Sequence, residues 1–343
     1  MATPDRETKH LLRPRAYPAR LSLVIPMYNE EMVVDPLRAE VENFMRQVPA
    51  ETEVVLVNDG SSDRTIQKIA AWAASDHRIK VVHLSRNFGH QLAATAGLDY
   101  ATGDAVVLLD ADLQDPLPVV HQMIERYREG YDVVYGQRQA RPGESRFKRL
   151  SAWAFYRVMR RIVYRRLPLD AGDFRLLSRE CLEGLRRMRE THRFLRGMIV
   201  WVGYPQIALP YRRGARAAGQ TKYPLRKMLS FAWTAATSFS TLPLRFSIVL
   251  GVIVGLFAAE EALRALLASL LGWYVVPGWT SLMIVTSVIG SALLISVGIL
   301  GEYVGRIYEQ SKDRPLYLVS RTFNVDSPPS GPGDAVTAGR RED

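Results

Sequence analysis

The chain has 343 residues, 48% of them apolar and 23% charged, and 45 Lys/Arg against 35 Asp/Glu give a formal net charge of +10. That length exceeds one compact domain, and that balance excludes a disordered or collagen-like polymer. The single cysteine, Cys181, excludes an internal disulfide and a thiolate zinc cluster, and points to a reducing compartment.

Residues 1–20 mix charges and are broken by Pro4, Pro14 and Pro18, with no apolar run of the kind a secretory signal needs. They read as an N-terminal extension that stays in the cytoplasm. Short β-branched runs follow at Leu21–Ile25, Val54–Val57, Lys80–Leu84, Ala105–Leu109 and Val133–Tyr135. Between them lie helical stretches, notably Thr65–Ala74 behind a Ser62/Asp63 cap, and Pro118–Glu129, closed by Gly130. Such alternation predicts an α/β fold with a parallel sheet covered by helices over residues 21–224.

Polar clusters follow the strands: Pro26 to Glu30, then Asn58 to Ser61, Arg86-Asn87, and Asp110 to Gln114. Ligands bind in the crevice at the carboxyl ends of an open α/β sheet, so these clusters converge on one place. No GxGxxG follows the first strand, and neither GxxxxGK[ST] nor HExxH occurs, which disfavours a dinucleotide oxidoreductase, a P-loop ATPase and a zinc peptidase.

Asp110, Asp112 and Gln114 offer hard oxygen ligands suited to Mg²⁺ or Mn²⁺ and through it to a diphosphate. The same residues also serve to cap a turn before Pro116, and only the convergent strand-end setting favours the metal. Asp59 sits in strong Asx-turn chemistry, Asn58-Asp-Gly-Ser-Ser. A carboxylate fixed there can accept hydrogen bonds from a nucleobase or ribose, with Tyr28 and Glu30 completing the pocket.

Ten Lys/Arg against one acid crowd residues 138–166, with Trp153, Phe155 and Tyr156 interleaved. A single-strand nucleic-acid groove has that look. Membrane spans further on favour contact with anionic headgroups instead, so no nucleic-acid partner is expected. Asp173, in Gly172-Asp-Phe-Arg, reads as a turn or helix cap or as a functional carboxylate. Tyr211 to Lys227 carries six basic residues and no acid.

Residues 225–245 read as an interfacial helix leading to two spans. The first, 246–271, has 26 largely apolar residues, about 39 Å as a helix, enough to cross a core of about 30 Å. It carries Glu260, Glu261 and Arg264, where an i,i+4 pair and snorkelling would lower their cost. The second, 280–303, contains an uncharged stretch flanked by Trp273, Tyr274, Trp279, Tyr303 and Tyr308, an aromatic belt at both interfaces. Arg226, Lys227 and Arg245 precede the spans and Arg306, Lys312 and Arg314 follow them, so both termini are expected in the cytoplasm. Residues 304–343 read as a cytoplasmic segment whose part beyond about Arg321 is a tail. Gly251, Gly255 and Gly290 allow a homo-oligomer through the spans.

The strings LSLVIPMYNE, VVLVNDGSSDRT, SRNFGHQLAATAGLDYATGD and LLDADLQDP, with GDFRLLSR and GQTKYPLRKM further on, resemble the polyprenyl-phosphate glycosyltransferases of glycosyltransferase family 2, over residues 21–319. The group includes dolichyl-phosphate mannose synthases and bactoprenol glucosyltransferases. The resemblance implies a GT-A, Rossmann-like catalytic domain with a C-terminal two-helix membrane segment, in the inner membrane. It further implies a UDP-sugar donor, a divalent metal, a polyprenyl phosphate acceptor and inversion at the sugar, with glucose and undecaprenyl phosphate the best match. By resemblance Asp110, Asp112 and Gln114 hold metal and diphosphate, and Pro26, Tyr28, Glu30 and Asp59 line the nucleotide pocket. Asp173 lies near the acceptor as base or orienting group, and Arg138, Arg216 and Lys222 meet phosphates. Asn58 departs from the pattern, because many relatives carry a second aspartate there. A processive polysaccharide synthase and a non-catalytic nucleotide-sugar-binding subunit are the rival readings.

Overall fold

The structure is a computed structural model and describes residues 12–138, 171–214, 242–271 and 278–325. Two units divide the chain, one built on a single sheet and one on two long helices.

The sheet unit begins with β1 (Arg20–Met27), α1 (Val34–Gln47), β2 (Glu51–Asn58), α2 (Thr65–Ser75), β3 (Ile79–Leu84), α3 (His90–Tyr100) and β4 (Ala105–Leu108). It continues with α4 (Pro118–Arg128), β5 (Val133–Arg138), β6 (Ala171–Ser178), α5 (Arg179–Arg186), α6 (Leu195–Val202) and β7 (Gln206–Tyr211). The strand order is β7-β5-β6-β4-β1-β2-β3, closed at the far edge by β8 (Val319–Phe323). β4, β1, β2 and β3 run parallel, and β6 enters antiparallel between β4 and β5.

β1 explains the sheet's position. Leu21, Leu23 and Ile25 alternate with Ser22 and Val24, and all five are fully buried, so helices cover both faces. Leu21, Leu23 and Ile25 join the large core cluster with Leu37, Val41 and Phe44 of α1 and Ile69 and Trp72 of α2. Gly97 of α3 lets that helix close on the other face, since a Cβ there would lie 2.4 Å from Val24 Cγ1. The chain steps from β1 to β2 and β3 on one side, then to β4 on the other. That reversal opens a crevice at the carboxyl ends of β1 and β4, and it realises the expected α/β, GT-A-like architecture.

Several expectations change in detail. The α2 start uses Asp63 but not Ser62: Asp63 Oδ1 accepts from Thr65 N at 3.0 Å and from Thr65 Oγ1 at 2.6 Å. Gly130 ends α4 at φ +105, in the left-handed region, as its place after the helix requires. The region assigned to a tail begins instead with β8, which pairs antiparallel with β3. The unpaired edge of β3 provides the template. Ser85 N donates to Leu318 O at 2.8 Å, Tyr317 Oη donates to Asp99 Oδ2 at 2.9 Å, and Asn324 Nδ2 donates to Ala73 O at 2.7 Å. Residues 12–19 are also anchored, with Arg15 paired to Asp132 at 2.9 Å and stacked over Tyr127.

The second unit contains α7 (Leu242–Leu270) and α8 (Trp279–Ser311), which pack together. Among the described residues one stretch, Ile284–Ser311, is long and apolar enough to cross a membrane by length and composition. In α7 the ion pair is Glu261–Arg264 at 3.3 Å, an i,i+3 contact instead of the expected i,i+4 pair with Glu260. Of the expected interfacial helix, only its last four residues, 242–245, are described, as the start of α7; the rest lies outside the described residues.

Candidate active site

The loops after β1 and β2 are stitched together by side chains that accept backbone N–H groups. Asn29, at φ +55, receives Ser62 N on Oδ1 at 2.8 Å, and its own N–H reaches Ser61 Oγ at 2.9 Å. Glu30 N donates to Thr65 Oγ1 at 2.9 Å. Pro26 is buried in the end of β1, Tyr28 is 48% exposed, and Glu30 lies between these extremes, so of the three the loop leaves Tyr28 most open to solvent.

Asp59 links this loop pair to the one after β3. Its two oxygens accept from Phe88 N at 2.7 Å and Gly89 N at 2.9 Å, and the residue is 2% exposed. Burial raises its proton affinity more than these two N–H groups lower it. The carboxylate therefore holds residues 88–89 in place. Asn58, fully buried, accepts from Ser61 N and Oγ and contacts His83 through Nδ2, so an amide serves the turn at that position.

β4 runs out into the acidic turn. Asp112 Oδ1 accepts from Gln114 N at 3.1 Å while Leu113 adopts φ +57, and the turn projects Asp110 and Asp112 toward the same side. Gln114 is 6% exposed; its backbone O accepts from Gly214 N at 2.9 Å and its Nε2 donates to Gly214 O at 3.5 Å. The segment after β7 is thus tied to the acidic turn. Arg213 on that segment places Nη2 at 3.7 Å from Asp110 Oδ2 and 3.6 Å from Asp112 Oδ2, and Nε at 3.7 Å from Asp115 Oδ1. Asp115 is buried and also accepts from the Tyr211 hydroxyl; Arg138 faces the same pair. Gly172 makes room for Arg138, since a Cβ there would lie 2.6 Å from its Nη2.

Asp173 is neither a turn residue nor a helix cap. It lies within β6, where antiparallel pairing to β4 and β5 overrides the weak strand preference of Gly-Asp. Arg196 Nε is 2.7 Å from its Oδ1, His90 Nε2 is 3.3 Å from its Oδ2, and the buried Arg175 is 4.0 Å away. Burial alone would raise the Asp173 pKa, but Arg196, His90 and Arg175 together hold it well below the usual carboxylate value. His90, at the start of α3, also lies 3.6 Å from Asp110 Oδ1. It therefore bridges the two strand-end carboxylates.

The structure brings Asp110, Asp112, Gln114, Asp173 and Arg138 to one region, with the Asp59 loop beside His90. Arg216 and Lys222 lie outside the described residues. His90, Arg196, Asp115 and Tyr211 were not distinguishable as site residues, and Arg213 appeared only as one member of a basic run. His90 and Asp173 are 83 positions apart and Arg196 and Asp173 are 23 apart, so no local spacing connects them. The string SRNFGHQ was the only hint of His90.

Residues 22–186 match the family model described as Glycosyl transferase family 2. "Uncharacterized glycosyltransferase YkcC" of Bacillus subtilis is 40% identical over 306 residues, covering 89% of this chain and 95% of that protein. The "Prophage bactoprenol glucosyl transferase homolog" of Escherichia coli is 37% identical over 302 residues, covering 88% and 99%. The "Bactoprenol glucosyl transferase" of Shigella phage SfV is 38% identical over 300 residues, covering 88% and 98%. Likeness at this level over nearly the whole of each protein, on a fold with acidic groups at the β4 end, places the chain in glycosyl transferase family 2, in the group that contains the bactoprenol glucosyl transferases, and makes it a glycosyltransferase.

Proposed function

We propose that the enzyme transfers glucose from UDP-glucose to undecaprenyl phosphate at the cytoplasmic face of the inner membrane, in one in-line displacement with inversion. The observation that carries this reading is the bridge at the β4 end, where His90 joins Asp110 to Asp173 and so sets a donor-side carboxylate beside an acceptor-side one. Relatives named bactoprenol glucosyl transferases support the sugar and the lipid. The apolar stretch Ile284–Ser311 supports residence in a membrane, and the basic residues before residue 246 and after residue 303 support the reading of two spans with both termini cytoplasmic.

Asp110 and Asp112 offer hard carboxylate donors, with Gln114 in the same turn, and the Arg213 guanidinium between the carboxylates is a stand-in cation marking where positive charge is wanted. The donor set fits Mg²⁺ or Mn²⁺. When bound, such an ion supplies charge neutralisation for a diphosphate leaving group.

The chain's own residues do the rest. Tyr28 offers a face for the nucleobase, while Pro26, Glu30 and the loop held by Asp59 shape the pocket around it. Arg138, Arg216 and Lys222 provide fixed cations that offset repulsion between two phosphorylated reactants. Asp173 orients and does not act as a strong base, because both of its oxygens are engaged by Arg196 and His90. A phosphate monoester, with a second pKa near 6, is already mostly dianionic at pH 7 and needs little deprotonation.

Membranes containing the protein and added undecaprenyl phosphate, supplied in turn with labelled UDP-glucose, other UDP-sugars and GDP-sugars, test the substrate assignment. Organic-extractable label from UDP-glucose alone is the expected result. Label from another donor would reassign the sugar, and nucleotide-sugar binding without lipid labelling from any donor would favour a binding subunit.

A further inference from the structure

Arg213 differs from the other ion pairs of the site. Arg196 meets Asp173 at 2.7 Å, a hydrogen-bonded contact that fixes both side chains. Arg213 instead approaches Asp110, Asp112 and Asp115 at 3.7, 3.6 and 3.7 Å, beyond hydrogen-bond distance from each. Its Nε is buried without a hydrogen-bond partner among the described residues. A guanidinium placed among three carboxylates and bonded to none of them through these contacts offsets part of their charge without being locked to one of them. Its backbone is held close by the two hydrogen bonds between Gly214 and Gln114, so the side chain can change partner while the segment stays in place.

Resting on the metal-dependent reading above, we infer that Arg213 is the exchangeable counter-ion of the acidic turn: it partly offsets the charge of Asp110 and Asp112 when the divalent ion is away and turns to the nucleotide diphosphate when the ion enters. A guanidinium and a divalent cation compete for the same two carboxylates, so the ion alone must displace Arg213 from Asp110 and Asp112 and leave it Asp115, at 3.7 Å, as its one remaining acidic partner among these three. The diphosphate supplies a replacement anion, in the geometry that a guanidinium fork matches. Arg213 thereby makes metal and nucleotide binding mutually dependent, and linkage requires each to strengthen the other by the same factor. The enzyme then avoids loading either partner alone.

The test is calorimetric titration of Mn²⁺ into the full chain in detergent micelles, with and without saturating UDP, for wild type, Arg213→Met, Arg213→Gln and Arg212→Met. Arg212 is exposed and serves as the control for loss of one positive charge. In the wild type, UDP should tighten Mn²⁺ binding on the order of tenfold or more, the usual size of such a coupling. Both Arg213 variants should bind Mn²⁺ without UDP about tenfold more tightly than wild type, with the effect of UDP reduced to about threefold or less, while Arg212→Met behaves as wild type. The glutamine variant keeps a polar, hydrogen-bonding side chain should methionine fail to fold. Unchanged or weaker Mn²⁺ affinity in the Arg213 variants, with wild type binding normally, would overturn the counter-ion role alone. Failure of wild type to bind Mn²⁺ even with UDP would overturn the metal-dependent reading and this inference with it.

Discussion

Replacing Arg196 by methionine removes the guanidinium whose Nε lies 2.7 Å from Asp173 Oδ1, with little change in packing volume. Asp173 is 6% exposed, and removing one partner of a buried ion pair costs about 3–5 kcal/mol. The cost here is smaller. Arg196 is 31% exposed in its side chain, and His90 at 3.3 Å and Arg175 at 4.0 Å remain to hold the carboxylate. About 2–3 kcal/mol is expected, which lowers Tm by roughly 5–10 °C for a unit of this size. Asp173→Asn should cost a similar amount, because it leaves Arg175 buried beside Arg196. The two losses share one interaction, so the double variant should be less damaged than their sum, with a coupling of about 2 kcal/mol. Differential scanning fluorimetry of the full chain in detergent, over the four members of the cycle, reads this directly. Additivity within about 0.5 kcal/mol would refute the claim that Arg196 acts on Asp173. Arg196→Lys should recover only part of the loss, since an ammonium lacks the planar Nε–H donor.

Two further perturbations probe the scaffold. Gly60→Ala places a side chain at φ +66 with its Cβ 2.4 Å from Arg86 C and 2.6 Å from Asn87 N, both backbone atoms. A loss of about 3 kcal/mol is expected, together with weaker UDP binding measured by calorimetry, because the shifted loop contains the N–H groups that Asp59 holds. Glu53 is buried, and although burial pushes its pKa up, Lys80, Ser22 and Thr102 outweigh it and bring the group below the ordinary 4.5. A lowered folded pKa means the stabilisation is fully present above the unfolded value and is lost as pH falls through the folded one. Glu53→Gln should therefore melt lower at neutral pH, by about 3 kcal/mol of stability, and show a shallower decline of Tm with acidification than wild type. Parallel acid limbs in the two proteins would count against that assignment.

The strand-end clusters were legible because a parallel sheet leaves only one edge where successive loops meet, and β-branched runs ending in Asp or Asn mark it. Asp110, Asp112 and the Asp59 turn were placed at that edge in this way, and they lie just beyond the ends of β4 and β2. β6 was harder to see: Ala171-Gly-Asp-Phe-Arg has weak strand propensity, and it continues a strand whose Arg175–Ser178 end pairs with β4 and whose Ala171 and Arg175–Leu177 pair with β5. The same holds for β8, whose five residues become a strand only because β3 has a free edge. The cations of the site were the least visible. His90, Arg196 and Arg213 look like ordinary surface residues in the sequence, and their significance arises from carboxylates brought to them by distant strands. Charge pairing across a sheet edge has no period and no motif, so it becomes apparent only when the fold is known.

Transfer of label from UDP-glucose to undecaprenyl phosphate by the purified full chain, comparing wild type with Asp112→Asn in the presence of Mn²⁺ and wild type with EDTA, tests the central claim most directly. The account predicts labelled lipid from wild type, its loss on chelation, and a drop on the order of a hundredfold or more in the variant, which keeps the turn's side-chain acceptor but loses the charge. Asp112→Asn retaining more than about half of wild-type transfer, or full transfer in EDTA, would contradict it.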